Sequence, residues 1–462
     1  MGFTLRAIET ECKFCQAVSV EAVTRVVSTA AIEAVLAEHG PPGTRARKLT
    51  PALTVLLVIA MSLYTQLSLA HVLRRLAAGL RYIWPGADNV LAGDAAISYR
   101  RHQLGVRPMR ALFQRVCQPL AGPQTRGAFL GDLRLMAIDG TVEEVPDTPA
   151  NAAAFGRHHS SRGAAAFPQV LAEYLLECGT HAIVDATFWP CHAGEHGAAR
   201  RLLRAVQPGM LLMWDRGLYS YPLFAGVVRR GSHVLARLPA GVKPHLVVSL
   251  QDGSYLAQIY PSGRRRHTPE EALPVRVVEY TIGDPALPGY GAQHRLITTL
   301  LEAARYPALE LAAVYHERWE IETAIDEQDT HQRLASRPLR SLTPRGGIQE
   351  LYGLLIAHYA VRALMHEAAL QADVDPDRIS FVGALRLLQD AVPEFQMTAP
   401  EELPQLHARL LGDMTRTLLP PRRPRRNPRV VKRKLSNYKR KRPEHAHLPQ
   451  PRGPYREALR LI

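Results

Sequence analysis

Three acidic residues with the chemistry of a metal site stand far apart along the chain. Asp139 follows the apolar run 133–138, Asp215 follows the apolar run 210–214, and Glu322 lies in a later segment with helical spacing. Cleavage of a phosphodiester bond by two metal ions requires carboxylates that converge on ions about 4 Å apart. Carboxylate oxygens are hard ligands that suit Mg²⁺ or Mn²⁺. We therefore interpret Asp139, Asp215 and Glu322 as candidate catalytic and metal-binding residues for cleavage of a phosphodiester bond.

Rigid elements have to place these acids. The runs 133–138 and 210–214 are predicted to be strands that each deliver an acid at the end of the strand. Residues 166–177 and 181–188 are predicted to be further strands of the same sheet, and residues 198–206 to be a helix. A single Asp-Gly after a strand is often only a turn, so the support comes from the joint order of strand acid, strand acid and helix acid.

The third acid lies within a helix predicted to run from residue 306 to about residue 333. Tyr315, Arg318 and Glu322 are spaced by three and four residues, which places them on one helix face at about 100° per residue. Arginine grips phosphate through two bonds and tyrosine donates one more, so this face suits DNA held beside the metals. The alternative is an exposed helix with ion pairs, such as Arg318 with Glu322.

The charge of the chain also indicates a polyanionic partner. The formal net charge is +15, and residues 421–442 contain twelve Lys or Arg and no acid, which leaves 15 − 12 = +3 for the rest. Such a segment binds DNA by releasing counterions from the phosphates, which makes Arg425, Arg426, Arg429 and Lys432 candidate DNA-binding residues. The alternative is a solvated, disordered tail.

Residues 1–120 are predicted to be helical, with a helix over residues 94–104 that carries Arg100, Arg101 and His102. A short helix with a basic outer face could enter a DNA groove, or it could belong to a dimer or packing module. The apolar run 51–64 is shorter than the roughly 20 residues that span a bilayer and is interpreted as a buried helix.

The spacing of the cysteines and the acidic residues near the start of the sequence indicate the cell compartment. Five cysteines at irregular spacing argue against a disulfide framework and fit a reducing cytoplasm. Zinc at Cys12 and Cys15, or at Cys191 with His192 and His196, is a weaker alternative because neither place shows a full ligand spacing. Acidic residues near the start leave no secretory signal. We therefore expect a cytoplasmic protein with no membrane partner.

Several blocks of the sequence together resemble the bacterial insertion-sequence transposases with the YREK signature, the IS-four family of DDE enzymes. The blocks that carry this resemblance are residues 136–141 with 145–151, residues 211–221, residues 295–299 with 306–308 and 315–322, residues 340–344 and residues 426–432, while residues 23–120 resemble the family's N-terminal module.

The resemblance implies an α/β fold: an RNase H-like catalytic core, with a mixed sheet flanked by helices and a β-strand insertion, after an all-helical N-terminal domain and before a basic tail. The implied boundaries are 1–125 for the N-terminal DNA-end-binding domain, 126–372 for the catalytic domain with its insertion at about 231–300, 373–418 for a helical segment and 419–462 for the basic, disordered tail. It also implies cut-and-paste transposition with two Mg²⁺ or Mn²⁺ ions, terminal inverted repeats and target DNA as partners, and a homodimer that pairs two ends. By resemblance, Tyr315 and Arg318 contact the DNA backbone near the cleaved end.

One position departs from the family pattern. The family has a lysine seven residues after the third acid, where this chain has Asp329. A lysine attracts phosphate and an aspartate repels it, so impaired catalysis is one hypothesis and replacement of the lysine by Arg333 is another. The sequence therefore leaves three functions open: an active transposase, a catalytically impaired DNA-binding derivative, and a metal-dependent DNA nuclease that cuts without joining.

Overall fold

The computed structural model describes residues 23–42, 49–79, 92–160, 163–261, 268–333, 338–420, 430–431, 439–446 and 450–462. The helices are α1 Thr29–His39, α2 Pro51–Leu63, α3 Leu69–Leu76, α4 Asp94–Leu104, α5 Arg107–Val116, α6 Pro149–Phe155, α7 Glu195–Leu202, α8 Tyr221–Val228, α9 Ala308–Val314, α10 Trp319–Asp326, α11 Pro344–Ala372, α12 Phe381–Met397 and α13 Leu403–Thr415. The main strands are β1 Phe129–Leu130, β2 Leu133–Glu144, β3 Gln169–Glu177, β4 Ala182–Pro190, β5 Met210–Trp214, β6 His233–Arg237, β7 His245–Ser249, β8 Tyr255–Ile259, β9 Leu273–Ile282, β10 His294–Thr298 and β11 Leu459–Leu461.

The chain divides into two compact units made of interleaved segments. The first unit comprises Met1–Phe129, Ala137–Ala205 and Glu320–Leu419, and the second comprises Leu130–Met136, Val206–Trp319 and Pro420–Ile462. Strand β2 begins in the second unit and ends in the first. The domain boundaries predicted from the sequence stay predictions.

The predicted N-terminal helices are confirmed where the structure describes them, and their start signals are local. Thr50 accepts a hydrogen bond from the Leu53 amide at 3.1 Å, and Pro51 takes the first helical position of α2. Ser68 caps α3 in the same way. Helix α2 is apolar around its whole circumference and packs on α11, so it is a buried helix, as predicted.

In the first unit, a sheet with the order β4-β3-β2 carries helices on its face. Strands β3 and β4 pair antiparallel, and α7 packs against both. Beside the end of β2, a buried apolar cluster joins α6, β3 and the long helix α11, through the residues Val145, Phe155, Val170, Leu339, Leu351 and Leu354. These contacts fix the strand that carries Asp139.

In the second unit, the strand order is β2-β5-β6-β10-β9-β8-β7. Strands β5 and β6 are parallel. The four pairs that follow in this order, β6–β10, β10–β9, β9–β8 and β8–β7, are antiparallel. The strands predicted after residue 231 are therefore confirmed, and they pair antiparallel with one another. Arg276 on β9 is fully buried and is held by Asp252, by the Ser254 hydroxyl at 2.7 Å and by the Tyr306 carbonyl at 2.6 Å.

The prediction of a disordered tail over 419–462 is wrong for its last residues. Residues 459–461 form β11, which pairs antiparallel with β9, and a short 3₁₀ turn, Tyr455–Ala458, precedes it. The apolar Leu459 is buried in this pairing, which offsets the loss of chain freedom. Within the described segments, no helix combines the length and apolar content needed to cross a membrane.

Candidate active site and DNA interface

Asp139 lies inside β2 and not at its end. The strand was predicted to stop at residue 138, but it continues to Glu144, because β3 pairs alongside it and Val145 anchors its far end in the core. One carboxylate oxygen of Asp139 accepts a hydrogen bond from the Gly140 amide at 2.9 Å. The strand therefore fixes the orientation of this half-buried carboxylate.

A buried acid that the sequence reading missed lies beside Asp139. Glu173 on β3 is only 1% exposed, and burial, with smaller contributions from Glu195 and Asp139, raises the pKa of its carboxyl to about 8. A Cβ at Gly140 would stand 2.7 Å from Glu173 Oε1, so the glycine of the Asp-Gly pair leaves room for this carboxyl group. A glutamate within the otherwise apolar run 170–176 was the available signal.

Asp215 directly follows β5, as predicted. Its side chain accepts from the Arg216 amide and caps the short turn Arg216–Leu218. The preceding residue, Trp214, is fully buried and stacks edge-on against Phe224 at 5.3 Å between ring centroids. The acid is therefore fixed on both sides, by the sheet before it and the turn after it.

Tyr315 and Arg318 lie beside Asp215 in the second unit. The Tyr315 hydroxyl donates to the Trp214 carbonyl at 3.1 Å, and the Arg318 guanidinium carbon is 5.8 Å from the centre of the Tyr315 ring. Burial raises the pKa of Tyr315; Asp215 raises it further, whereas Arg318 and Arg237 lower it. Arg237, at the end of β6, is a second cation of this cluster that sequence reasoning missed, because one arginine at a strand end has no distinguishing spacing.

The helical segment predicted over 306–333 is confirmed from Ala308 to Gln332, but it is not one regular α-helix. It consists of α9, a 3₁₀ turn Tyr315–Arg318, α10 and a π-helical segment Glu327–Gln332. Tyr315 and Arg318 still face the same side, because residues three apart eclipse each other in a 3₁₀ turn. Glu322 belongs to the α-helix that follows, and the predicted common face of all three residues stays a prediction.

Glu322 lies between two acids that are tied into the first unit. Two residues before it, the Glu320 carboxylate accepts from the Gly179 amide. Five residues after it, Glu327 is buried and bonds to Arg362 and to His358 Nε2 at 3.0 Å. Burial alone would raise the pKa of Glu327, but Arg362 and His181 outweigh it and hold this pKa well below the ordinary range. The backbone that carries Glu322 is thus anchored on both sides.

Asp329 occupies the position where the family signature has its lysine, and Arg333 lies four residues later. Asp329 accepts from the Thr141 hydroxyl at 3.2 Å, and burial raises the pKa of its carboxyl to about 6. The Arg333 guanidinium pairs with the buried Glu143 and lies 3.6 Å from Asp329. The charge of Arg333 is therefore engaged by Glu143, and the prediction that Arg333 binds DNA stays a prediction.

The basic residues of the N-terminal region have different environments. Arg101 was predicted to be a DNA contact, but it is buried and donates to Gln349 at 3.0 Å and to Ser341 at 2.9 Å, so it is a packing residue. Arg100 is half-buried and donates to Gln103 at 2.7 Å. The other predicted DNA-binding residues, Arg425, Arg426, Arg429 and Lys432, lie outside the described residues, as do Cys12 and Cys15.

The candidate acids are divided between the two units. Asp139 and Glu322 belong to the first unit, and Asp215 belongs to the second together with Tyr315 and Arg318. Across the described residues, which include Cys191, His192 and His196, no three His, Cys, Asp or Glu side chains form a group that could hold a metal ion. The metal-binding role of the three acids therefore stays a prediction.

Comparison with known proteins identifies the family. The family model "Insertion element 4 transposase N-terminal" matches residues 17–114, and the model "Transposase DDE domain" matches residues 130–359. Transposase InsG for insertion sequence element IS4 of Escherichia coli (strain K12) is 29% identical over 406 residues, which cover 87% of this chain and 90% of InsG.

Two further proteins are similar over part or most of the chain. The Putative transposase InsZ of the same organism is 26% identical over 153 residues, 33% of this chain and 51% of InsZ. The cryo-EM structure of a piggyBac transposase synaptic complex with hairpin DNA has a TM-score of 0.43 at 10% identity, over 87% of this chain and 86% of that one. The matched DDE domain contains a mixed sheet flanked by helices. The chain belongs to the IS4 family of DDE transposases and is a DNA transposase, an enzyme that acts on DNA with divalent metal ions.

Proposed function

We propose that this transposase cleaves DNA at the ends of an insertion sequence and joins those ends to target DNA, with Asp139, Asp215 and Glu322 as catalytic residues. Hydrolysis breaks the bond between phosphorus and the 3′ oxygen and leaves a 3′-hydroxyl group. In joining, this hydroxyl attacks a phosphorus atom of the target and displaces the target's own 3′ oxygen. The observation that supports this function most is the cluster of Asp215, Tyr315 and Arg318, an acid beside two groups that grip phosphate.

The donor chemistry of the three acids fits Mg²⁺ or Mn²⁺. All three offer carboxylate oxygens, the ligands that these hard ions prefer. Asp139 and Asp215 each bond one oxygen to the amide of the next residue, which pre-orients the carboxylate. When bound, two such ions would activate the attacking oxygen and stabilise the leaving one. The protein's own contribution is placement, through strands β2 and β5 and helix α10.

DNA contacts follow from the same cluster. Arg318 and Tyr315 would hold the backbone phosphate next to the scissile bond, and Arg100 with the basic segment 421–442 would add contacts elsewhere on the DNA. The partners on this proposal are terminal inverted repeats and target DNA, bound by a homodimer that brings two ends together. The cell compartment would be the cytoplasm, in association with the nucleoid DNA.

A second candidate function, a catalytically impaired DNA-binding protein, is favoured by Asp329. This acid takes the family's lysine position, and the guanidinium of Arg333 is engaged by Glu143, so neither residue supplies the missing positive charge. Asp329→Lys is then expected to strengthen binding of the cleaved end, and Asp329→Asn, which only removes the negative charge, to strengthen it less. Equal end binding by Asp329→Lys and the parent protein would count against this role.

The test is a strand-transfer assay with the inverted repeats that flank the coding region. The donor carries a free 3′-hydroxyl, the target is a plasmid, and Mg²⁺ or Mn²⁺ is added. Joining supports the transposase, cutting without joining indicates a nuclease, and binding alone indicates the impaired protein. Alanine at Asp139, Asp215 or Glu322 should abolish both reactions and spare DNA binding, whereas the exposed Glu302→Ala should retain them. Cleavage retained by any of the three variants would overturn that residue's assignment.

A further inference from the structure

The last residues of the chain form an ordered element of the second unit, here called the C-terminal strap, residues 450–462. Its strand β11 pairs with β9, with Leu461 opposite Tyr280 and Leu459 opposite Ile282. Beyond this register, the Gly283 amide donates to the Ala458 carbonyl at 2.8 Å, and the Arg452 amide donates to Asp284 at 2.7 Å. The strap is therefore fixed to the sheet along its whole length.

The strap also contacts the segment that contains the proposed DNA-gripping residues. Tyr455 stacks on His316, with 4.0 Å between ring centroids and 16° between the ring planes. His316 lies between Tyr315 and Arg318 in the 3₁₀ turn, and the strap packs on α9, the helix that leads into this turn. The ring of Tyr455 thus packs against the 3₁₀ turn.

The other end of the Tyr455 side chain lies against the sheet. Its phenol is beside that of Tyr280 on β9, and burial raises the pKa of both phenols. Tyr280 in turn stacks on His294, at 5.1 Å between ring centroids and 25° between planes. Tyr455 therefore lies between a rigid strand and the turn, with its ring stacked on His316.

A 3₁₀ turn has poorer hydrogen-bond geometry than an α-helix and depends more on its neighbours for its shape. We propose that Tyr455 is a positioning residue for DNA-end binding: it acts through His316 to hold Tyr315 and Arg318 in the orientation that grips the backbone phosphate. This inference rests on the proposed DNA contacts of Tyr315 and Arg318. It makes the C-terminal strap part of the DNA-end-binding apparatus.

The test compares graded changes at Tyr455 in the full chain. Tyr455→Phe keeps the ring that stacks on His316 and loses only the hydroxyl group, whereas Tyr455→Ala loses the ring. The affinity for a duplex carrying the inverted repeat is expected to fall about 3- to 10-fold in Tyr455→Ala and less in Tyr455→Phe, as for one lost aromatic contact. The half-saturating DNA concentration should rise, while the single-turnover cleavage rate at saturating DNA should stay near that of the parent protein.

A double-mutant cycle separates positioning from general stability. If Tyr455 acts through the turn, Tyr455→Ala combined with Arg318→Ala binds ends no more weakly than Arg318→Ala alone. The control is Tyr290→Ala, a tyrosine of the same unit that is 46% exposed and lies outside the proposed apparatus. Additive losses, or an affinity loss by Tyr290→Ala equal to that of Tyr455→Ala, would overturn the inference.

The same experiment distinguishes failure of the inference from failure of the proposed function. Unchanged end binding by both Tyr315→Phe and Arg318→Ala would refute the DNA-contact role of the turn itself. End binding lost in those two variants but unchanged in Tyr455→Ala would refute the positioning role alone. Should Tyr455→Ala unfold, which thermal unfolding would show, His316→Ala removes the same ring stack from the other side, and its end binding should weaken to a similar extent. A His316→Ala affinity equal to that of the parent protein would then refute the positioning role.

Discussion

Replacing Gly140 by alanine should damage both stability and catalysis, although glycine to alanine is usually a mild change in a strand. Gly140 does not have a positive φ, so the backbone conformation itself accepts alanine. The obstacle is space: the new Cβ would stand 2.7 Å from Glu173 Oε1, 2.9 Å from Glu173 Cδ and 3.2 Å from the Ala172 carbonyl oxygen. Glu173 is buried and has little room to move aside.

The size of the effect follows from these distances. Contacts below 3.0 Å require a shift of the side chain or the strand, and overpacking of this kind costs about 1–3 kcal/mol. The Gly140 amide also holds the Asp139 carboxylate, at 2.9 Å, so a displaced strand carries the first acid with it. A displacement on the order of 1 Å at a catalytic group reduces the rate about 100-fold, and we expect a loss of cleavage between about 10-fold and 100-fold.

Urea unfolding and single-turnover cleavage measure the two consequences separately. Gly217→Ala is the matched control, because Gly217 follows the second acid by two residues and its added Cβ meets nothing within 4 Å; its stability should change by less than about 0.5 kcal/mol. In Gly140→Ala/Glu173→Ala the added methyl group has room, so the two destabilisations should not add. A Gly140→Ala protein as stable and active as the parent, or strict additivity in the double variant, would refute this reasoning.

Three further predictions concern buried charges of the first unit. The raised pKa of Glu173 contributes stability that is present below about pH 4.5 and lost as pH rises to about 8. Glu173→Gln should therefore remove up to ~5 kcal/mol of the pH dependence of the free energy of unfolding, measured in urea without metal. An unchanged pH profile would contradict the assignment. Glu327→Gln leaves Arg362 buried without its carboxylate and should lower the free energy of unfolding by about 3–5 kcal/mol at neutral pH. Because the pKa of Glu327 is depressed, this loss of stability should shrink only as pH falls below about 4.5. A loss that stays constant down to pH 2 would argue against the buried ion pair. Arg101→Ala should cost about 2–5 kcal/mol of stability and leave the salt dependence of DNA binding unchanged, and a shallower salt slope would restore Arg101 as a DNA contact.

The elements specified by local sequence were predictable. Helices α2 and α3 begin directly after Thr50 and Ser68 because these side chains cap the helices that follow them. Each capping bond joins residues only three apart in the sequence, so the signal is local. Strand β5 and the acid after it were also predicted correctly, since a short apolar run leading into Asp-Arg-Gly has few other readings. The sequence blocks also identified the family correctly.

Features that depend on distant partners were not predictable from local patterns. The segment 315–332 has helical spacing throughout, yet bonds from Glu320 to Gly179 and from Glu327 to Arg362 accompany its division into 3₁₀, α and π turns. Arg101 lies in a helix whose sequence suggests an exposed basic face, and only the fold brings Gln349 and Ser341 to it. Long-range pairing thus decided which charged residues are buried.

The central claim is that Asp139, Asp215 and Glu322 hold the same metal ions, and cleavage of the protein by bound iron tests it most directly. Fe²⁺ accepts the same carboxylate ligands as Mg²⁺ and Mn²⁺, and with ascorbate and peroxide it generates hydroxyl radicals that cut the backbone close to the ion. The account predicts cuts near residues 139, 215 and 322 in one protein, all suppressed by excess Mg²⁺ and all lost in Asp139→Ala. Cuts confined to one or two of these segments, or cuts near 215 and 322 that persist in Asp139→Ala, would contradict it.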